Sequence, residues 1–286
     1  MAGSAKNWLI GCGVGCGLLV ALVLGLGTAG FFGVRHVMDR AERLEAASDS
    51  LATLHGSPGA WAPPADGTLA ASRVEAFLEA RRQMAPARER ASRTFATLDG
   101  GGGGVTAKVG AGVSLVPHIL SLIEARDRAL LAVGMGPGEY RFLYTVAYFG
   151  LLGKDPADGP GFMVSGNGAG DGDGRQWTVG TRHGEQDDGD VRRRRGEAVR
   201  ESLNRTQAAN LRRQLEQLEA AGGGDPAWRQ ALTAEVAALS SDPQRLAWEQ
   251  DLPARLRDTL EPFRDRLEQA YDPTTGAMEL EMDRDD

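Results

Sequence analysis

Tyr140, Tyr144 and Tyr148 recur every four residues with Arg141 among them, and His118 lies on the apolar segment just before. Phenols donate and accept hydrogen bonds, a guanidinium carries a permanent charge, and an imidazole titrates near neutrality. A ligand site or contact surface assembled from dispersed residues would draw on these five side chains. The competing expectation is structural. An aromatic stripe at helical spacing is by default core or helix-contact surface, its hydroxyls needing partners once buried. On an apolar helix His118 reads the same way, as a core or partly exposed histidine.

Other chemistry is hard to find. The motifs GxSxG, HExxH, GxxxxGK[ST] and CxxCH are missing, and His36, His55, His118 and His183 share no ligand spacing. Both cysteines, Cys12 and Cys16, sit in the N-terminal apolar run, so the remainder can form no disulfide, redox pair or cysteine-ligated zinc site. Asp171, Asp173, Asp187, Asp188 and Asp190 invite a calcium reading. An EF-hand loop starting at Asp171 would place Arg175 and Arg182 at its fifth and twelfth positions, and one starting at Asn167 would place Ala169 at its third. Both registers fail, leaving a solvated loop as the expectation and a weak cation site as the alternative. Asn204, Arg205 and Thr206 form a glycosylation sequon, relevant only in a eukaryotic secretory setting. No catalytic residue, cofactor or metal is assigned.

A net charge of −7 over 286 residues offers no basic field for nucleic-acid phosphates. The strongest signal is instead at the N-terminus, where residues 8–34 carry no charge. As a helix this run would be about 40 Å long, more than a hydrocarbon core of about 30 Å requires. It is too long for a cleaved signal and runs on into charged sequence, so an uncleaved single-pass signal anchor is expected. Leu9 to Cys12 match a lipoprotein box, but the apolar run begins there rather than ending there. Gly25, Gly27 and Gly30 spell GxGxxG, which has no phosphate-binding meaning inside a span. Gly13, Gly17, Ala21, Gly25, Ala29 and Gly33 form an i, i+4 row that could pack against a second copy, or could reflect only the commonness of glycine in membrane helices.

Behind the anchor, every periodic segment has helical spacing and none alternates like a strand, so the expected class is all-α: a single transmembrane helix followed by a helical-bundle-like domain with Gly/Asp-rich loops. The organisation reads as an anchor (1–36), a juxtamembrane helix with a Pro/Gly linker or hinge (37–67), a first helical region (68–154), a Gly/Asp-rich flexible loop (155–191), a second helical region (192–272) and an acidic tail (273–286) that is expected to fray from Glu279 on. Within this frame, helices are expected near 72–98, 114–134 and 139–153. The four arginines 192–195 read as the solvated start of the next helix, with an anionic-lipid contact as the alternative. Asp225–Pro226 and Asp242–Pro243 each read as a helix start, and Pro262 should kink the last helix.

Two function classes follow. The first is a membrane-anchored protein-interaction or scaffolding module, partnered by the bilayer, by itself through the span and by another protein. The second is a tethered enzyme or ligand-binding domain. Arg35, Arg40 and Arg43 following the span favour a cytoplasmic C-terminal side. Long domains, however, translocate largely regardless of charge, and the expectation is a domain outside the cytoplasm, periplasmic in a Gram-negative source.

Overall fold

The computed structural model describes residues 46–99, 105–159, 163–167, 176–180 and 188–281. The chain divides into two compact units, Met1–Ala46 and Ala47–Asp286, and the second carries every element below. The apolar run 8–34, with its row of small residues from Gly13 to Gly33, lies outside the described residues. Among those described, no helix is long and apolar enough to cross a membrane.

Residues 46–55 form α1. A 3-10 turn, Pro58–Ala60, leads to α2, Ala71–Asp99. There Val74, Phe77, Leu78, Met84, Ala91 and Phe95 are buried at spacings that bring them to one side of the helix, the single apolar stripe a helix presents to a core. This helix packs on α3, Val105–Val133, where Ile119, Leu122 and Leu130 are buried. Gly134 ends α3 at φ +60, where a residue without Cβ is at ease. Next come α4, Pro137–Tyr144, and without a break a π-helical stretch, Thr145–Leu151. Both are buried nearly all round, as the apolar composition of 139–153 implies.

α5, Asp188–Ala220, buries Val199, Leu203, Leu211 and Leu218 and packs on α6, Pro226–Ser241. The latter opens as its sequence predicts, with the Asp225 carboxylate accepting from the Ala227 N–H at 3.0 Å and proline in the first turn. At Pro262, where a kink is expected, the last apolar helix is divided into α7, Ala254–Leu260, a 3-10 turn at Glu261–Phe263, and α8, Arg264–Ala270. The described fold is therefore helical, with one exception.

That exception is an antiparallel hairpin, β1 Met163–Asn167 with β2 Gln176–Gly180, pairing Ser165 with Thr178 at its centre. It corrects the reading of 155–191 as an unstructured loop. Each strand is only five residues long, too short for alternation to stand out against glycine-rich flanks. Asp242–Pro243 is a second correction: it opens a turn, not a helix, with Asp242 accepting from the Gln244 N–H at 2.8 Å. A third concerns Arg195, which is buried and donates to the Ala157 carbonyl, although its neighbours Arg192 and Arg193 are solvated as expected.

The supposed acidic tail is the largest departure. Residues Pro273–Glu281 form α9, which packs against α2, α3 and α5. Met278, Glu279 and Leu280 are buried. Composition suggested solvation because the residues that receive this segment lie far away in sequence.

Candidate functional site

The three tyrosines share one helical face and meet at Arg81, a fully buried side chain on the apolar stripe of α2. Tyr140 Oη lies 2.9 Å from Arg81 Nη1 and donates to Glu279 Oε2, also at 2.9 Å, while Arg81 Nη1 donates directly to that same carboxylate. The guanidinium lies over the rings of Tyr144 and Tyr148, 5.2 and 5.4 Å from their centroids. Its second nitrogen, Nη2, donates to the Ala270 carbonyl at 2.8 Å. Arg126 donates to the Glu279 carbonyl and pairs with Asp127, which in turn accepts from Ser48. This polar core ties α1, α2, α3, α4 and α9 together.

Burial pushes the phenols of Tyr140 and Tyr144 well above their usual range and raises that of Tyr148, though Arg81 pulls the other way. Burial alone would lower Arg81. The Glu279 carboxylate, with the three phenols, instead holds its guanidinium charged. These tyrosines are thus core: Tyr140 is hydrogen-bonded to Glu279, whereas the Tyr148 hydroxyl is buried with no hydrogen-bond partner among the described residues.

The other two candidates are not part of this cluster. Arg141, one residue round the helix from Tyr140, faces α5 and donates to Thr206 Oγ1 at 3.2 Å. His118 Nδ1 lies 3.1 Å from Thr94 Oγ1, between α3 and α2. The five residues therefore form no common site. The sequon fails as well: Asn204 is buried and its Nδ2 donates to the carbonyls of Leu239, Asp242 and Arg245. Among the described residues no three His, Cys, Asp or Glu side chains are grouped to hold a metal. Asp171, Asp173 and Asp187 lie outside them.

A cavity of about 310 Å³ opens elsewhere, lined among others by Trp61, Phe142, Leu143, Gln214, Trp228 and Trp248. One wall is the segment 56–67, which composition marked as a hinge. It is pinned, because its prolines keep it out of regular structure and leave carbonyls that need donors. Turned with its amide nitrogen inward, Asn210 of α5 donates to Pro58 O (3.1 Å) and Trp61 O (2.8 Å). Arg213 donates to Gly59 O and Gln214 to Pro64 O, at 3.0 and 2.6 Å. Trp228 Nε1 holds Ala65 O at 2.9 Å. The spacing 210, 213, 214 is a single helical face reading a strap.

The opposite wall is the turn after α6, which presents Trp248 at φ +60. A large side chain in that region costs about 1–3 kcal/mol and persists only where neighbours over-determine it. Here they do. Glu235 Oε1 accepts from the Trp248 N–H at 2.9 Å, Gln207 Oε1 accepts from the Ala247 N–H at 2.7 Å, and Arg245 grips Glu235. Trp248 stacks on Trp228, with centroids 5.6 Å apart and planes at 29°, and the Arg255 guanidinium lies 4.6 Å from the Trp228 ring centroid. Arg73 and Glu139, also on the lining, neutralise each other through two 2.6 Å hydrogen bonds.

Sequence reasoning missed Trp61, Gln214, Trp228 and Trp248 because the cavity joins segments far apart in the chain. The available signal was weak: four of the five tryptophans lie outside the apolar run, and one of these stands beside Pro63 and Pro64. The chain matches no protein-family model, no curated protein and no solved structure.

Proposed function

We propose that this chain is a single-pass membrane-anchored helical module that binds a small, largely apolar ligand in the tryptophan-lined cavity, with the domain displayed outside the cytoplasm. One observation carries the ligand-binding part. The cavity falls at the lower end of the size range of small-molecule sites and is walled mostly by aromatic and aliphatic side chains. Its mutually neutralised Arg73–Glu139 pair leaves no net charge to attract an ion. The strained Trp248 turn, held by buried Gln207 and Glu235, supplies the kind of rigid wall that positions a ligand. The anchor rests on the uncharged run 8–34.

The protein-scaffolding reading draws less support. Among the described residues Leu54 is the one large apolar side chain that is strongly exposed, and a helix-docking groove would need several.

The test is calorimetric titration of the full chain in lipid nanodiscs with N,N-dimethyl-1-naphthaleneacetamide, empty nanodiscs serving as blank. Saturable one-to-one heat is expected from the unaltered chain. It should vanish in Leu69→Trp, which fills the cavity from its half-exposed rim. Heat that is identical in the two chains would place binding elsewhere. The anchor is tested separately by carbonate extraction: the full chain should stay in the pellet and a chain lacking residues 1–36 should leave it.

A further inference from the structure

The proline-rich strap between Gly56 and Gly67 walls the cavity with Trp61, Ala62, Pro63 and Pro64, and it is fastened unlike the other walls. The helices around it carry their own backbone ladders, and the Trp248 turn is fixed by Glu235 and Gln207. Among the described residues no backbone-to-backbone hydrogen bond joins the strap to another element. Its own two, from Ala60 N–H to Ser57 O and from Gly67 N–H to Pro64 O, close within it. The hydrogen bonds that tie it to the domain run from side chains to strap carbonyls: from Asn210, Arg213 and Gln214 of α5, Trp228 of α6 and Arg255 of α7.

Ties of this kind come undone without stranding the strap. Pro58, Pro63 and Pro64 have no N–H to lose, and a carbonyl that leaves its donor is taken up by water once the segment lifts. Both ends are glycines in the left-handed region, Gly56 at φ +73 and Gly67 at φ +71. Lacking Cβ, they can change φ freely and absorb the rotation that a moving segment needs. Between them, Trp61 apart, stand only Ser, Pro, Gly, Ala and Asp. Little apolar area therefore holds the strap down, the property of elements that open locally ahead of the rest of a domain.

Resting on the ligand-binding reading above, we infer that the strap is the gate of the cavity, swinging about Gly56 and Gly67 to admit an apolar ligand and closing over it. Trp61 rides on the moving part, and Asn210, Arg213 and Gln214 are the latch. The latch bonds are the same in the closed empty chain and the closed occupied one. They therefore govern how fast the ligand exchanges and not how tightly it is held.

A reversible lock tests this. Gly59 and Ala209 are not on the cavity lining, and a Cβ at Gly59 would stand 3.8 Å from Ala209 Cβ, matching the usual separation of about 3.8 Å across a disulfide. The full chain in nanodiscs would carry Gly59→Cys and Ala209→Cys, with Cys12→Ala and Cys16→Ala to remove competing thiols. Loaded with N,N-dimethyl-1-naphthaleneacetamide and then oxidised, it should keep the ligand through gel filtration and release it on reduction. Oxidised while empty, it should take up none until reduced. Arg213→Ala removes an exposed latch residue outside the lining. Stopped-flow tryptophan fluorescence should show association and dissociation both faster by about fivefold, the size of one ordinary hydrogen bond, at an unchanged Kd. These rates decide even where the two cysteines fail to join. Ligand leaving the oxidised chain as fast as the reduced one, or Arg213→Ala exchanging at the parent's rates, would overturn the gate and leave the ligand-binding reading standing. Absence of saturable, Leu69-dependent binding by the unaltered chain would overturn both.

Discussion

Arg81 and Glu279 stand 198 positions apart and meet as an ion pair whose two side chains are fully shielded from water. Desolvating both charges is costly, and the pair is supported by hydrogen bonds from Tyr140 and Thr275 to Glu279 and from Arg81 to the Ala270 carbonyl. Removing one partner strands the other. Arg81→Met or Glu279→Leu alone should each cost about 3–5 kcal/mol. The double variant should cost less than either, since no buried charge remains. Equilibrium urea unfolding followed by circular dichroism measures this, and single variants within about 0.5 kcal/mol of the parent would show that the pair is not buried in solution.

All four tyrosines of the chain, Tyr140, Tyr144, Tyr148 and Tyr271, have phenols raised above the usual value, burial being the largest cause in each. A folded state that holds its protons more tightly than the unfolded chain keeps that stability below about pH 10 and loses it progressively above, as the unfolded chain ionises first. Phenolate absorbance at 295 nm should therefore stay flat through pH 10 and then rise together with loss of helical ellipticity. A smooth titration centred near pH 10 in a chain that remains helical would contradict the burial of this cluster.

At the start of α6 the sign is opposite. Asp225 is held below its ordinary value by hydrogen bonds from Arg255 and then from the Ala227 N–H. The charged carboxylate therefore stabilises the helix start above about pH 4, and that contribution fades as pH falls toward the lower folded value. Asp225→Asn keeps a capping oxygen but loses the charge. Its melting temperature should fall below the parent's at pH 6 and converge with it near pH 2.5. A gap that is constant with pH would exclude the carboxylate's charge as the cause.

Gly138 allows α4 to touch the strap: a Cβ there would lie 2.3 Å from the Pro58 carbonyl oxygen and 2.8 Å from Trp61 Cβ. Backbone cannot move aside as a flexible side chain can. Gly138→Ala should destabilise the domain by about 1–3 kcal/mol and, by lifting Trp61, weaken binding of N,N-dimethyl-1-naphthaleneacetamide beyond what stability explains. Gly134→Ala, whose Cβ would meet nothing within 4 Å, controls for strain from its positive φ without touching the strap.

Helix positions were legible because the apolar stripe of a helix is written in neighbouring residues: Phe77, Met84, Ala91 and Phe95 announce the buried face of α2 at steps of four and seven. The starts and breaks at Asp225–Pro226 and Pro262 were equally local. A finer reading of the same stripe would have found Arg81 and Arg88, charged residues on apolar positions, and so a buried polar core. It could not have found their partner, since nothing near Glu279 distinguishes it from a solvated acidic tail until α2 is folded against α9.

What the sequence determined by itself is therefore most of the helices, α9 excepted, the tyrosine face of α4 and its continuation, and the uncharged run at the N-terminus, each a property of residues within a few turns of one another. The tertiary structure decided which tyrosines meet which charges, that the proline-rich segment is a pinned strap, and that three tryptophans from distant segments enclose one cavity. The physical reason is range. Periodicity and capping act over three or four residues, whereas Gln214 meets Pro64 across 150 positions and Arg81 meets Glu279 across 198, and such partners are chosen by the packing of whole helices.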